Sequence, residues 1–361
     1  MLQSNNTILK KKCKTNVKKK VDFSSALLSI AIIVVMILLL INPTRYAISV
    51  TNGLKLFFTA VLPGLLPFMF FTKLLTNSSL ISKSTKPFQK SAKKLFGISA
   101  EGIYAFIMSI ISGYPIGSKI TADLYQSGKI SKNEVTKTAI LSSTSGPIFV
   151  IGAVGGAMLQ STLLGLVIYI SNVVAVILCS LIINILERKV KSKKKEMINA
   201  TLSQNTLTSL TLSPSAPQQH KSASLSSIAL DTVMGLLVVG FFVAIFSLFI
   251  DLLTDIKVIS FFAYPLKIIF EKLSINPELA EGIMSGIIEM TNGANILSKS
   301  ITPLSVSLIS FIIAFSGFSI IMQSLSFLNK CPISTLKFIL AKMFQAIFSF
   351  IICLILTCFI L

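Results

Sequence analysis

Long apolar runs alternate with lysine-bearing polar stretches along the whole chain, and several of the runs are broken internally by glycine, proline, serine or asparagine. The first run, Ala26 to Ile41, follows a lysine-rich tail over residues 1–20 and ends in Asn42-Pro43-Thr44-Arg45. No small-residue cleavage site follows it, so the pattern predicts an uncleaved signal-anchor helix with a cytoplasmic N-terminus. A second run, about Leu54–Leu75, contains Pro63, Gly64 and Pro67, which should kink it or split it into two short helices. Lys73 to Lys94 is polar, carries Lys83, Lys86, Lys90 and Lys93 and no acid, and predicts an amphipathic helix on the cytoplasmic surface.

The stretch around which the rest is organised is Ser112-Gly113-Tyr114-Pro115-Ile116-Gly117-Ser118-Lys119. Apolar residues lead into it from Ile103, behind Ser99 as a helix N-cap and Glu101 in the first turn. Gly113, Pro115 and Gly117 cannot carry an unbroken helix. In a bilayer a freed backbone survives only against protein or a water-filled cavity, so such a break marks a re-entrant hairpin or a discontinuous helix at a site. A helix of about Ser118–Tyr125 ends at Gly128, the next run, Glu134–Leu159, is interrupted at Ser142 to Pro147, and Leu163–Leu186 is uninterrupted.

Beyond Arg188 the chain turns lysine-rich and then Ser/Thr/Gln/Pro-rich to about Ser227, with the lone His220, and this composition predicts a flexible cytoplasmic linker. The order of elements then recurs. Ile228–Leu253 answers Leu54–Leu75, Ile256–Leu273 answers the lysine-rich segment, and Glu281-Gly282-Ile283 repeats Glu101-Gly102-Ile103. A break at Thr291-Asn292-Gly293 matches that at Ser112-Gly113, and Ser316-Gly317 matches Ser145-Gly146-Pro147, before a final run of about Leu336–Leu361. The first surface segment carries only lysines while its counterpart has Asp255 and Glu271, which places the two on opposite faces of the membrane. The prediction is an all-α polytopic membrane protein of two inverted repeats with broken helices or re-entrant hairpins, the arrangement from which alternating-access carriers are built. Its parts are a basic tail and first helix (1–49), a first repeat (50–187), the linker (188–227) and a second repeat (228–361).

Composition sharpens this picture. Of 361 residues 53% are hydrophobic and 13% charged, and the mean hydropathy is +0.82, which excludes an ordinary soluble domain. The net charge of +20 would suit nucleic acid, but the lysines cluster beside apolar runs as the positive-inside rule requires, and no nucleic-acid-reading motif accompanies them. The five cysteines show no CxxC, and neither a disulfide framework nor a metal site is supported. No HExxH, no GxSxG and no pair of aspartates within the apolar runs is present, so an enzyme is not expected, and no cofactor is implied.

On the motifs Ser112–Lys119 with Thr121-Ala122, Ser145-Gly146-Pro147-Ile148-Phe149 and Glu289-Met290-Thr291-Asn292-Gly293, the chain from about Leu54 onward resembles the YlbJ-type (SpoVV) sporulation integral membrane proteins. That family carries nucleoside-recognition, or Gate, domains. Its second motif usually reads Asn-x-Ser-Asn-Pro; here Ser143 and Gly146 remain and the asparagines are replaced, so no asparagine contact carries over. The resemblance implies a carrier of dipicolinate across the outer forespore membrane. Gate-domain relatives are similar to concentrative nucleoside transporters, so a nucleoside-like solute is the alternative substrate, and a non-transporting structural role in sporulation is the alternative class.

The partners expected are a small anionic solute and the lipid bilayer, with no nucleic acid; a homo-oligomer is compatible with the pattern. Arginine, the usual bidentate partner of carboxylate, occurs only as Arg45 and Arg188 at the ends of runs. The candidate substrate-binding residues are therefore those of the breaks: Ser112, Gly113, Tyr114, Pro115, Gly117, Ser118, Lys119, Ser145, Gly146, Glu289, Thr291, Asn292, Gly293 and Ser316. They offer half-helix N–H groups, hydroxyls, one amide and one nearby cation, Lys119. Glu289 lies deep in apolar sequence, where an ionised group costs roughly 2.5–3.5 kcal/mol and needs a partner or a wet cavity; it is a candidate coupling or gating group.

Overall fold

The computed structural model describes residues 23–77, 85–201 and 224–361. The lysine tail, Lys83 and the polar stretch around His220 lie outside these. Every regular element among the described residues is helical. Contacts separate two units, Met1–Ala47 and Ile48–Leu361. The first contains α1 (Phe23–Ile41) and the start of α2 (Pro43–Leu56). Both repeats read from the sequence fall in the second unit.

There the chain stays helical through α3 (Leu62–Asn77) rather than splitting at its prolines. A π-turn at Phe57–Val61, with Leu62 N–H donating to Phe57 O, shifts the hydrogen-bond register just ahead of Pro63. A proline lacks a donor, and a register change absorbs that loss without a break. After α4 (Gln89–Leu95) the chain bends by 91° into α5 (Ala100–Ser112). Ser99 caps α5 by accepting from Gly102 N–H, as its position before an apolar run predicted.

The remaining elements run in two matching series. The first is α5, a break, α6 (Ile116–Gln126), α7 (Lys132–Leu141), an irregular stretch, the π-helical segment Ile148–Met158 and α8 (Thr162–Thr201). After α9 (Leu225–Asp255) and α10 (Val258–Lys272), the second is α11 (Glu278–Ile288), a break, α12 (Met290–Leu297), α13 (Pro303–Phe315), a break, α14 (Gly317–Phe327) and α15 (Thr335–Thr357). Helix α8 continues past Arg188 to Thr201, so a tether between the halves starts later than the lysine-rich composition suggests. The second hairpin breaks at Glu289, not at Thr291–Gly293. Glu289 takes an extended conformation and its carboxylate accepts from Thr291 and Asn292 N–H, so those residues form the first turn of α12.

The two series exchange contacts. Ile116 and Ile120 of α6 share a core with Phe315, Ile321 and Phe338 from the second series. Reciprocally, Leu279, Leu297 and Ile309 pack with Val150, Val154 and Ile168 from the first. Each hairpin thus beds on the other half's broken helix, which is why the halves form one unit. Among the described residues four helices are long and apolar enough to cross a bilayer, or up to six if each of two bent pairs is one crossing, and the protein is a multi-pass membrane protein.

Candidate functional site

In each half the two breaks pack directly on one another. Gly113 has φ 80° and ψ −178°, a conformation essentially confined to glycine. A Cβ there would overlap Gly146 N and come within 2.8 Å of Gly146 Cα. In the second half a Cβ on Gly317, which has φ 62°, would meet Gly286 O, Ile288 O and Met290 N at 3.1 Å. The residue before it, Ser316, also has a positive φ of 72° and bonds back to Phe315 O at 2.6 Å.

Hydroxyls tie the first pair of breaks together. Ser109 Oγ donates to Ser142 O at 2.5 Å and lies 2.9 Å from Thr144 Oγ1, while Thr121 Oγ1 lies 3.0 Å from Ser142 Oγ. Such bonds satisfy polar groups that a membrane interior could not. Tyr114, next to a cis bond to Pro115, joins the halves: its hydroxyl donates to Ile313 O at 3.1 Å and sits 2.8 Å from Met290 Sδ.

The breaks converge on a cavity of about 610 Å³ in the second unit. Of the residues proposed from the sequence, Ser112, Tyr114, Pro115, Gly146, Glu289, Thr291 and Asn292 line it. Gly113, Gly117, Ser118, Ser145, Gly293 and Ser316 are buried behind the lining and shape it. At Gly117 a Cβ would overlap Ser142 O, and at Gly293 one would approach Gly286 N to 2.5 Å. Lys119 does not line the cavity. It belongs to a cluster in which Lys73 lies 2.8 Å from Asp123 and 2.7 Å from Asp231, and Lys119 lies 3.3 Å from Asp231 and 3.9 Å from Asp123.

The cavity also gathers polar residues that the sequence did not single out: Asn52, Ser247, Asp251, Ser319 and Gln323. Asp251, near the end of an apolar run and there unremarkable, accepts from Ser49 at the cavity wall. Gln323 is fully buried and Ser112 sits at the first break, and Gln323 Oε1 and Ser112 Oγ have no partner among the described residues. Neither atom is open to the cavity as placed, so each would meet a solute or water only on a change of side-chain rotamer. Among the described residues the lining carries two carboxylates, Asp251 and Glu289, and no Lys, Arg or His. Glu289 is stabilised by two N–H groups of α12, the positive end of a helix.

One further charge lies close behind this wall. Lys342 of α15 is only 1% exposed; its Nζ donates to Ser143 O at 3.0 Å and stands 5.7 Å from the centroid of the Tyr114 ring. The signal for it was a polar stripe in the last apolar run, Lys342, Gln345, Ser349, Cys353 and Thr357, which repeats every three to four residues and is buried in the structure.

Compared with known proteins, the chain is similar to the sporulation integral membrane protein YlbJ of Bacillus subtilis (strain 168). The two are 26% identical over 302 residues, which is 82% of this chain and 74% of that protein. No family model matches the chain. No solved structure matches it either.

Proposed function

We propose that this protein is a membrane carrier of a small planar solute, with dipicolinate as the expected substrate, acting in sporulation at the outer forespore membrane. The observation that carries the reading is the convergence of four helix breaks, two from each half, on one cavity. A bilayer penalises free backbone polar groups by several kcal/mol each, so broken helices meet at its interior where a polar solute replaces their lost partners. The volume of about 610 Å³ lies within the range of small-molecule sites. Inverted repeats fit the reciprocal packing of the two series, and would let the hairpins open alternately to the two sides. The sporulation setting and the choice of dipicolinate draw on the similarity to YlbJ and on the motifs that carry it.

A second reading is a neutral, nucleoside-like solute, and the lining favours it in one respect: among the described residues Asp251 and Glu289 face the cavity and no cation does. Purified protein in liposomes separates the two. Saturable uptake of labelled dipicolinate above that of protein-free vesicles supports the first; uptake of uridine without dipicolinate moves the substrate to the neutral class. Flux of neither, with no thermal stabilisation by either, would reject a carrier in favour of a structural role.

A further inference from the structure

Lys342 is the one buried lysine among the described residues, and nothing in the preceding reading uses it. It lies seven residues into α15, about 10 Å along a membrane-crossing helix at 1.5 Å per residue. Ionisable groups at such depth are costly and mark functional positions by default. An ammonium has three donors. Here one reaches Ser143 O, in the irregular stretch of the first half, and the group also faces the Tyr114 ring. No carboxylate pairs with it among the described residues, and the titratable groups close by are the Tyr114 phenol and Cys179 of α8, whose Sγ reaches Ala341 O at 3.6 Å.

Its position matters more than its rarity. Tyr114 stands between the ammonium and the cavity, and Gly146, three residues beyond Ser143, is on the lining. The wall formed by Ser112, Tyr114 and Gly146 therefore has the Lys342 amine directly behind it. The two lining acids come from other elements, Asp251 from α9 and Glu289 from the α11–α12 junction. With little water between charges, a field acts across a ring's width far more strongly than it would in solvent. An anion against that wall would provide the counter-charge that Lys342 lacks.

We propose that Lys342 is the cation of the substrate site, acting through the Tyr114 ring and the Ser143 carbonyl to draw one carboxylate of an aromatic dicarboxylate to the Ser112–Tyr114–Gly146 wall. This rests on the carrier reading and supplies the positive charge that the lining itself lacks. It also distinguishes Lys342 from Lys119, whose charge is already met by Asp231 and Asp123.

The test compares initial uptake of dipicolinate with that of pyridine-2,6-dicarboxamide, which has the same ring and shape without charge. It uses reconstituted wild type, Lys342→Gln, Lys342→Met and Lys342→Arg. Methionine fills the slot without charge and buries no polar group of its own, so this variant remains measurable where glutamine folds poorly. The expected result is a fall in the dipicolinate-to-dicarboxamide ratio of about tenfold or more in the Gln and Met variants, with dicarboxamide uptake kept and the Arg variant retaining most of the ratio. A tether without an electrostatic role would lower both uptakes together. If the wild type prefers dipicolinate and the Gln and Met variants keep that preference, the inference is overturned while the carrier reading stands. A wild type that moves neither compound removes both, and one that moves only the dicarboxamide overturns the inference and transfers the site to neutral solutes.

Discussion

Replacing Gly113 by alanine tests whether the contact between breaks builds the site. The new Cβ would overlap Gly146 N and stand 2.8 Å from Gly146 Cα, against the 3.4 Å or more of ordinary contact, so the facing backbone must retreat by about 1 Å to free the nitrogen. Both partners are main chain, and no flexible side chain can swing away. Alanine must also adopt φ 80° and ψ −178°, or abandon the conformation that ends α5. Forced Gly-only geometry costs about 1–3 kcal/mol and overpacking a further 1–3, about 2–6 in all. That is a large share of a typical folding stability of about 5–15 kcal/mol. The expected outcome is a lower melting temperature in detergent and a still larger loss of solute uptake, because Ser112 and Gly146 on the lining move with the break. Gly152→Ala is the control: nothing lies within 4 Å of a Cβ there, and the residue sits inside the π-helical segment. A Gly113→Ala protein that melts with the wild type and carries solute at its rate would refute the account.

In the charge cluster, Asp123 is 11% and Asp231 43% exposed, so Asp123→Asn should lower thermal stability more than Asp231→Asn; the opposite order would mean that burial does not set the strength of these pairs. Glu289→Ala removes the cap of α12 and should cost about 1 kcal/mol, while Glu289→Gln, which keeps an acceptor oxygen, should cost less; equal melting points for the two would deny the capping role. Burial, with a smaller contribution from the charge of Asp123, pushes the Cys331 thiol up to about 11. In a variant whose other cysteines are serine, alkylation should stay slow at neutral pH and keep accelerating after an ordinary thiol, of pKa near ~8.5, has levelled off.

The helix breaks at Gly113, Ser142–Pro147 and Ser316 were legible in the sequence because glycine, proline and serine act on their own backbone, within a turn of where they stand. The Ser99 cap was legible for the same reason. The second break was placed two residues late because its cause is a carboxylate reaching forward to backbone N–H groups, which no glycine or proline marks. Lys119 appeared as a free cation beside the motif, yet besides Asp123 one turn on it meets Asp231, which is 112 residues away. Likewise the carbonyl that holds Lys342 lies 199 residues from it, and in the sequence that lysine reads as one charge in an apolar run. Local chemistry showed where the chain bends; which charges meet is decided by how the two halves interlock, and that is tertiary.

The arms of the hairpins are short: α5 has 13 residues, α6 and α11 have 11 each, and α12 has 8. At 1.5 Å per residue they reach about 12–20 Å, well under the ~30 Å hydrocarbon thickness. None can halt in the bilayer alone as a nascent segment. Helix α6 packs on α3, α5 and α7 and also on α14, which is synthesised some two hundred residues later, so its burial is completed only when the second half arrives. Damage to α14 should therefore appear as raised protease sensitivity of the α5–α6 hairpin, with the membrane-crossing α8 still inserted.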